Sequence, residues 1–161
     1  MNSGIENYSI RRLMRTMVVM VVYEYELLSE NIVANKIFQD DKFNDLFDYK
    51  KIRIKNKNQF LNEQLQIILT IEKNYDTFKK MIIKHIRNDW SWSRLDPLIR
   101  SMLLCASVEL WKLDIGIVTN EYVEIAKDFI PDNESYKFIN IIIEKIGREY
   151  HEFKQKRNQT N

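Results

Sequence analysis

The chain has 161 residues, of which 45% are hydrophobic and 30% are charged, and its formal net charge is +2. This composition is typical of a globular domain with a sizeable core and excludes a disordered chain. The three glycines and two prolines disfavour a hairpin-rich β fold and a glycine-rich phosphate loop. The longest apolar run, MVVMVVY at 17–23, is too short to span a bilayer, so no membrane segment is expected.

Apolar residues recur at helical spacing along most of the chain and predict about seven helices. The first runs from about Ile5 to Glu30. A short second helix is predicted within 43–49, a third within 60–71 and a fourth within 78–86. Together with the helices of the second half, these patterns predict an all-α fold.

Capping residues mark the helices of the second half. Asp96 followed by Pro97 predicts the start of a fifth helix, because Asp accepts a bond from a free N–H and Pro lacks the N–H that has no partner there. Thr119 is predicted to cap a sixth helix, and a seventh carries Phe138 to Tyr150. We expect one helical-bundle domain over 1–161, with lobes of about 1–89 and 90–161.

Residues that serve catalysis or bind metals are sparse. His85 and His151 stand alone and no HExxH motif occurs, so neither a metal nor a cofactor is predicted. The single cysteine, Cys105, lies among apolar residues and is interpreted as a small hydrophobe rather than a nucleophile. It permits no internal disulfide, which favours a reducing compartment such as the cytoplasm. We expect a protein that is not an enzyme.

Basic residues form a stripe on the first predicted helix. Arg11, Arg12 and Arg15 fall within about one quadrant, and Tyr23 lies near the same stripe. Three cations at a helix start oppose the helix dipole, which favours acids there. RNA phosphates, with bases stacked on tyrosines, would compensate this charge. A solvated face paired with nearby Glu is the other interpretation, and the stripe alone leaves both open.

Two further basic runs lie outside this helix. One spans 50–57 and contains no acid, and the other comprises Lys154, Lys156 and Arg157. Such runs are commonly only solubilising, although either would add long-range attraction to RNA.

Four blocks of the sequence resemble the NusB family of bacterial transcription antitermination factors. They are RRLMRTMVVMVVYEYE (11–26), RLDPLIRSMLLCASVEL (94–110), NEYVEIAKDF (120–129) and SYKFINIIIEKI (135–146). The strongest element is NE-x-V-E-x-AK followed by S-x-KF-x-N. The blocks cover about a third of the chain, and the stretch 31–89 matches only in helical character.

The resemblance implies a surface for single-stranded RNA. In NusB proteins, N-terminal arginines and an aromatic a few turns later contact the boxA segment of ribosomal RNA leader transcripts, and the S-x-KF segment adds to this surface. The matching residues in this chain are Arg11, Arg12, Arg15, Tyr23, Lys137 and Phe138. The mechanism implied is binding, with phosphates held by Arg and unstacked bases resting on aromatics.

The resemblance also implies protein partners. NusB proteins work with NusE, a small-subunit ribosomal protein, and the pair is loaded onto RNA polymerase in an antitermination complex. The partner-facing region corresponds to Ile99, Arg100 and Glu109. Ile99 stands where the family often has an acid, so the partner contacts of this chain are expected to differ. The sequence leaves open whether the protein forms a homodimer.

Two alternatives to an RNA-binding antitermination factor remain. One is a protein-interaction module of the same fold that has lost RNA affinity, which the divergent middle of the chain allows. The other is the NusB-like domain of a ribosomal RNA methyltransferase. It is disfavoured because the sequence has no glycine-rich nucleotide-binding unit.

Overall fold

The computed structural model describes residues 3–28 and 57–159, and all regular structure in these ranges is helical. The helices are α1 (Ser3–Leu28), α2 (Lys57–His85), α3 (Pro97–Glu109), α4 (Ile115–Phe129) and α5 (Asn133–Gln159), with a 3₁₀ turn at Trp92–Arg94. The all-α prediction is confirmed. The number of helices differs, with five α-helices in the described ranges where about seven were predicted for the whole chain.

The third and fourth predicted helices are one helix with a kink, which accounts for part of this difference. Asn74 has φ −126° and ψ 23° inside α2, and its side-chain Nδ2 donates to the carbonyl oxygen of Thr70 at 3.0 Å. The polar stretch between the two apolar patterns contains neither Gly nor Pro, so nothing ends the helix there. The short helix predicted at 43–49 lies outside the described residues.

Aspartate side chains cap α3 and α4. Asp96 Oδ1 accepts a hydrogen bond from the Leu98 N–H at 2.7 Å, which confirms the predicted cap of α3. The predicted cap of α4 was wrong. Asp114 rather than Thr119 occupies that position and accepts from the Gly116 N–H at 2.8 Å. Both residue types cap well, and the earlier Asp leaves Thr119 buried one turn inside the helix.

The hydrophobic core is built around α3, which packs against each of the other four helices. Every residue from 101 to 110 is buried. Side chains from all five helices contribute to the core, among them Val22, Ile68, Leu103, Ile125 and Ile143. Cys105 is fully buried there, and burial raises the pKa of its thiol well above the usual value, as expected of a small hydrophobe. The division into two lobes stays a prediction.

Among the described helices, none combines the length and the apolar character that crossing a membrane requires.

The α3 cap provides a test of the fold. We expect Asp96→Ala to lower the free energy of unfolding by about 0.5–2 kcal/mol, because the Leu98 N–H loses its acceptor. Asp96→Ser is the matched control, since its hydroxyl keeps an acceptor at the same place. Urea unfolding followed by circular dichroism measures both. Equal losses for the two variants would show that the cap does not stabilise α3.

Candidate functional site

Two reciprocal ion pairs connect α1 to α3. Arg15 of α1 pairs with Glu109 at the end of α3, and Glu26 of α1 pairs with Arg100 near its start. Because the earlier residue of α1 meets the later residue of α3, the two helices run antiparallel. In the first pair α1 supplies the cation, and in the second it supplies the anion. A shift of one helix along the other would separate both pairs. The pairs therefore define how α1 lies on α3.

The first pair belongs to a buried charge cluster of Arg15, Glu109, Glu121 and Tyr122. Arg15 Nε donates to the two Glu109 oxygens at 2.9 and 3.1 Å, and Arg15 Nη1 donates to Glu121 Oε2 at 3.4 Å. The Tyr122 hydroxyl donates to Glu109 Oε2 at 2.7 Å. Only 8% of Arg15 is exposed. Burial is the largest influence and acts to lower the pKa of Arg15, but the charge and hydrogen bond of Glu109, together with Tyr122 and Glu121, outweigh it and raise the pKa. The guanidinium therefore stays charged.

The three arginines of the predicted stripe occupy three environments. Arg11 is exposed, Arg12 is partly exposed and Arg15 is buried. Arg12 Nη2 donates to Glu121 Oε1 at 3.1 Å, and its Nη1 lies 4.0 Å from Glu124 Oε2. Pairing with Glu therefore accounts for two of the three arginines. The acids of these pairs belong to α3 and α4.

Aromatic side chains surround the second pair, which joins Glu26 and Arg100. Arg100 Nε lies 3.1 Å from Glu26 Oε2, and the Tyr75 hydroxyl donates to Glu26 Oε1 at 2.6 Å. The guanidinium carbon of Arg100 lies 5.7 Å from the centre of the Trp92 ring, within the range of a cation–π contact. Burial, reinforced by the bond to Glu26, raises the pKa of Tyr75 well above its usual value. This group joins α1, α2 and the start of α3.

The residues predicted for partner contacts point into the fold. Ile99 and Glu109 are each 8% exposed, and Glu109 already accepts hydrogen bonds from Arg15 and Tyr122. Arg100 already forms an ion pair with Glu26 and a cation–π contact with Trp92. In this structure the three residues hold helices together. Their contact with a partner stays a prediction, and of the three only Arg100 is partly exposed.

The start of α5 combines a cation with an aromatic pair. Lys137 is exposed, and its Nζ donates to Glu134 Oε1 at 2.8 Å. The neighbouring Phe138 ring stacks on Trp90, with 5.8 Å between ring centroids and 30° between planes. Phe138 is partly buried, whereas 47% of Trp90 is exposed. The sequence reasoning missed Trp90, although an aromatic in WSWS between two helices was the available signal.

The other predicted site residue, Tyr23, is partly exposed on α1. Within the described ranges, no three His, Cys, Asp or Glu side chains come together as a metal site. The arrangement offers cations and aromatic faces at the surface, over a frame of buried ion pairs. These features define an all-helical protein whose surface presents cations and aromatic rings.

Comparison with known proteins identifies the family. The model of the NusB family matches residues 12–148, and the chain belongs to this family. This match confirms the resemblance seen in the sequence. NusB proteins are transcription antitermination factors and not enzymes.

Individual relatives agree with this assignment. The transcription antitermination protein NusB of Sulfurimonas denitrificans is 31% identical over 137 residues, which are 84% of this chain and 94% of that protein. The protein of the same name from Nitratiruptor is 33% identical over 148 residues, 88% of this chain and 94% of the relative. A solved structure of T. maritima NusB has the same fold, with a TM-score of 0.67 at 24% identity over 86% of this chain and 91% of that one.

The buried charge cluster makes a prediction about stability. Arg15→Ala should lower the free energy of unfolding by about 3–5 kcal/mol, because Glu109 and Glu121 remain buried without their cation. Arg87→Ala, which removes an exposed ion pair with Asp89, is the control and should cost at most about 1 kcal/mol. Chemical unfolding measures both variants. If Arg15→Ala is as mild as the control, the cluster does not hold α1 in place.

Proposed function

We propose that this protein binds single-stranded, boxA-like RNA of ribosomal leader transcripts and does so together with NusE. It acts in the cytoplasm as a component of an RNA polymerase antitermination complex. Membership of the NusB family supports the general role in antitermination. The RNA and the protein partner are the parts proposed here, and the surface chemistry of α1 and α5 is the argument for them.

The stacked Trp90 and Phe138 rings beside Lys137 are the observation that carries the proposal. An exposed ring face accepts an unstacked base, and a neighbouring ammonium attracts its phosphate. Among the described residues, Lys137 is bonded only to Glu134, which is itself exposed, so a phosphate can replace that carboxylate at little cost. Trp90 thus joins the residues that the resemblance assigned to RNA.

On α1 the proposal separates the arginines by role. Arg11 is exposed and Tyr23 partly so, and both are assigned to RNA. Arg12 stands at the edge of the site, where its pairs with Glu121 and Glu124 leave part of the guanidinium accessible. Arg15 is assigned a positioning role, because it fixes the helix that presents the others.

A second candidate function is that of a module with the same fold that does not bind RNA. The pairing of Arg12 and Arg15 inside the chain removes much of the charge predicted for phosphates, which favours a module that binds only protein partners. This module would bind NusE but show no preference between a boxA-like RNA and a scrambled one. Measuring both RNAs with and without NusE distinguishes the two functions.

The charge contribution of Lys137 is directly testable. Lys137→Ala should weaken binding of a boxA-like RNA and flatten the slope of log affinity against log salt by about 0.7, the value for one lost phosphate contact on a single strand. Arg148→Ala is the matched control, because Arg148 is similarly exposed on the same helix and pairs with Glu144. Fluorescence anisotropy at two salt concentrations gives the slope. An unchanged slope for Lys137→Ala, or an equal change for both variants, would remove Lys137 from the site.

Trp90 offers the cleanest test of stacking. Because nearly half of its surface is exposed, Trp90→Ala should change folding stability little while lowering RNA affinity by about 1–3 kcal/mol. Ile117→Ala, which truncates an exposed apolar residue of α4, should change neither quantity. Thermal unfolding and RNA titration are measured on the same samples. A loss of stability without a loss of RNA affinity would assign Trp90 to packing.

A further inference from the structure

A second exposed aromatic group lies at the opposite end of α3 from Trp90. Trp111 follows the end of α3, and it meets Tyr150 and Phe153 of α5 with centroid distances of 4.6 and 6.4 Å. These three residues form the Trp111 cluster. Tyr150 is buried beneath the indole, whereas Trp111 is 42% exposed and Phe153 55% exposed. Within the described residues, the cluster therefore presents two partly exposed rings.

Cations surround the Trp111 cluster. Lys154 Nζ lies 5.6 Å from the centre of the Trp111 ring and donates to the Trp111 carbonyl oxygen at 2.8 Å. Lys84 and Lys156 line a hollow of about 410 Å³ against Trp111 and Phe153. Two acids, Glu149 and Glu152, also line this hollow. Glu149 is already bonded to Lys84 and His85 at 2.8 and 2.7 Å. With Lys154 beside the indole, three lysines and two glutamates surround the aromatic walls.

This part of α5 lies beyond the region that the NusB family model matches, which ends at residue 148. The helix continues to Gln159, and every residue from 151 to 159 is exposed. By helical spacing, Phe153, Lys156 and Arg157 lie on the same half of α5 as Tyr150. The basic run at the end of the sequence is therefore arranged around the cluster.

Trp111 also adjoins the basic start of α1. A second hollow, of about 450 Å³, is lined by Arg11, Lys112 and Trp111 together with residues of α2. Trp111 thus separates the hollow beside Arg11, a residue of the proposed RNA surface, from the hollow beside Phe153.

We propose that the Trp111 cluster and its lysines form an additional binding site for single-stranded RNA, continuing the surface that begins at Arg11. The inference rests on the proposed RNA-binding function and extends it to nucleotides flanking the boxA-like segment. Exposed rings interleaved with Lys are the pattern of sequence-tolerant single-strand sites. The cores of protein interfaces are depleted in Lys, so RNA fits this surface better than a protein partner.

The test compares a boxA-like RNA with the same RNA extended at either end by a run of uridines. The wild-type protein should bind one of the extended RNAs at least about fivefold more tightly, the smallest gain expected from one stacked base. Trp111→Ala and Phe153→Ala should each remove that gain and leave affinity for the unextended RNA unchanged. Ile141→Ala, an exposed apolar truncation on the same helix, is the control and should keep the gain.

Phe153→Ala keeps the test decisive if Trp111→Ala impairs folding, since Phe153 is the more exposed ring. Thermal unfolding checks each variant. Equal wild-type affinity for the extended and unextended RNAs overturns the additional site and leaves the proposed function intact. If Phe153→Ala still binds the extended RNA more tightly than the unextended one, the additional site is likewise overturned. If the variants lose binding of NusE and keep the gain in RNA affinity, the surface is assigned to a protein partner. If the wild-type protein binds none of the RNAs at either of two salt concentrations, both proposals fail.

Discussion

The ion pair between buried Arg15 and Glu109 fixes the position of α1, and the proposed binding surface depends on that position. Removing two charges from water is costly, and the attraction between them offsets this only where the geometry is good and the remaining bonds are made. Here Glu121 and Tyr122 supply those bonds. The pair favours one register of α1 on α3, because any other register would leave a charge buried alone. A hydrophobic contact of the same area would discriminate less sharply between registers.

This arrangement divides the charged residues of one helix between two tasks. Arg15 is buried in an ion pair with Glu109, and Arg12 is partly buried beside Glu121. Arg11 is the most exposed of the three arginines. The formal net charge of +2 hides this division, because it counts paired and exposed cations alike. In the proposed function, long-range attraction of RNA depends on cations at the helix ends, such as Lys137 at the start of α5. The surface is basic in places and not as a whole.

Features that depend on neighbouring residues were predictable in part, since the cap of α3 was predicted correctly and that of α4 was not, whereas features that depend on distant residues were not predictable. The Asp96 cap involves residues two positions apart and was predicted correctly. The burial of Arg15 was not, because its acceptors lie 94 and 106 positions away. A basic stripe has the same sequence pattern whether its partner is RNA or a distant glutamate. The resemblance to a family identified the fold and the class of protein, but the side-chain environments required the structure.

The central claim is that RNA lies against the exposed residues of α1 and the start of α5. Photo-cross-linking tests it most directly, with a boxA-like RNA that carries photoactivatable uridines and with mass spectrometry to locate the attached peptides. The account predicts cross-links at Tyr23, Trp90 and Phe138 that NusE strengthens and that a scrambled RNA does not produce. Cross-links confined to α2, or an identical pattern with the scrambled RNA, would contradict it.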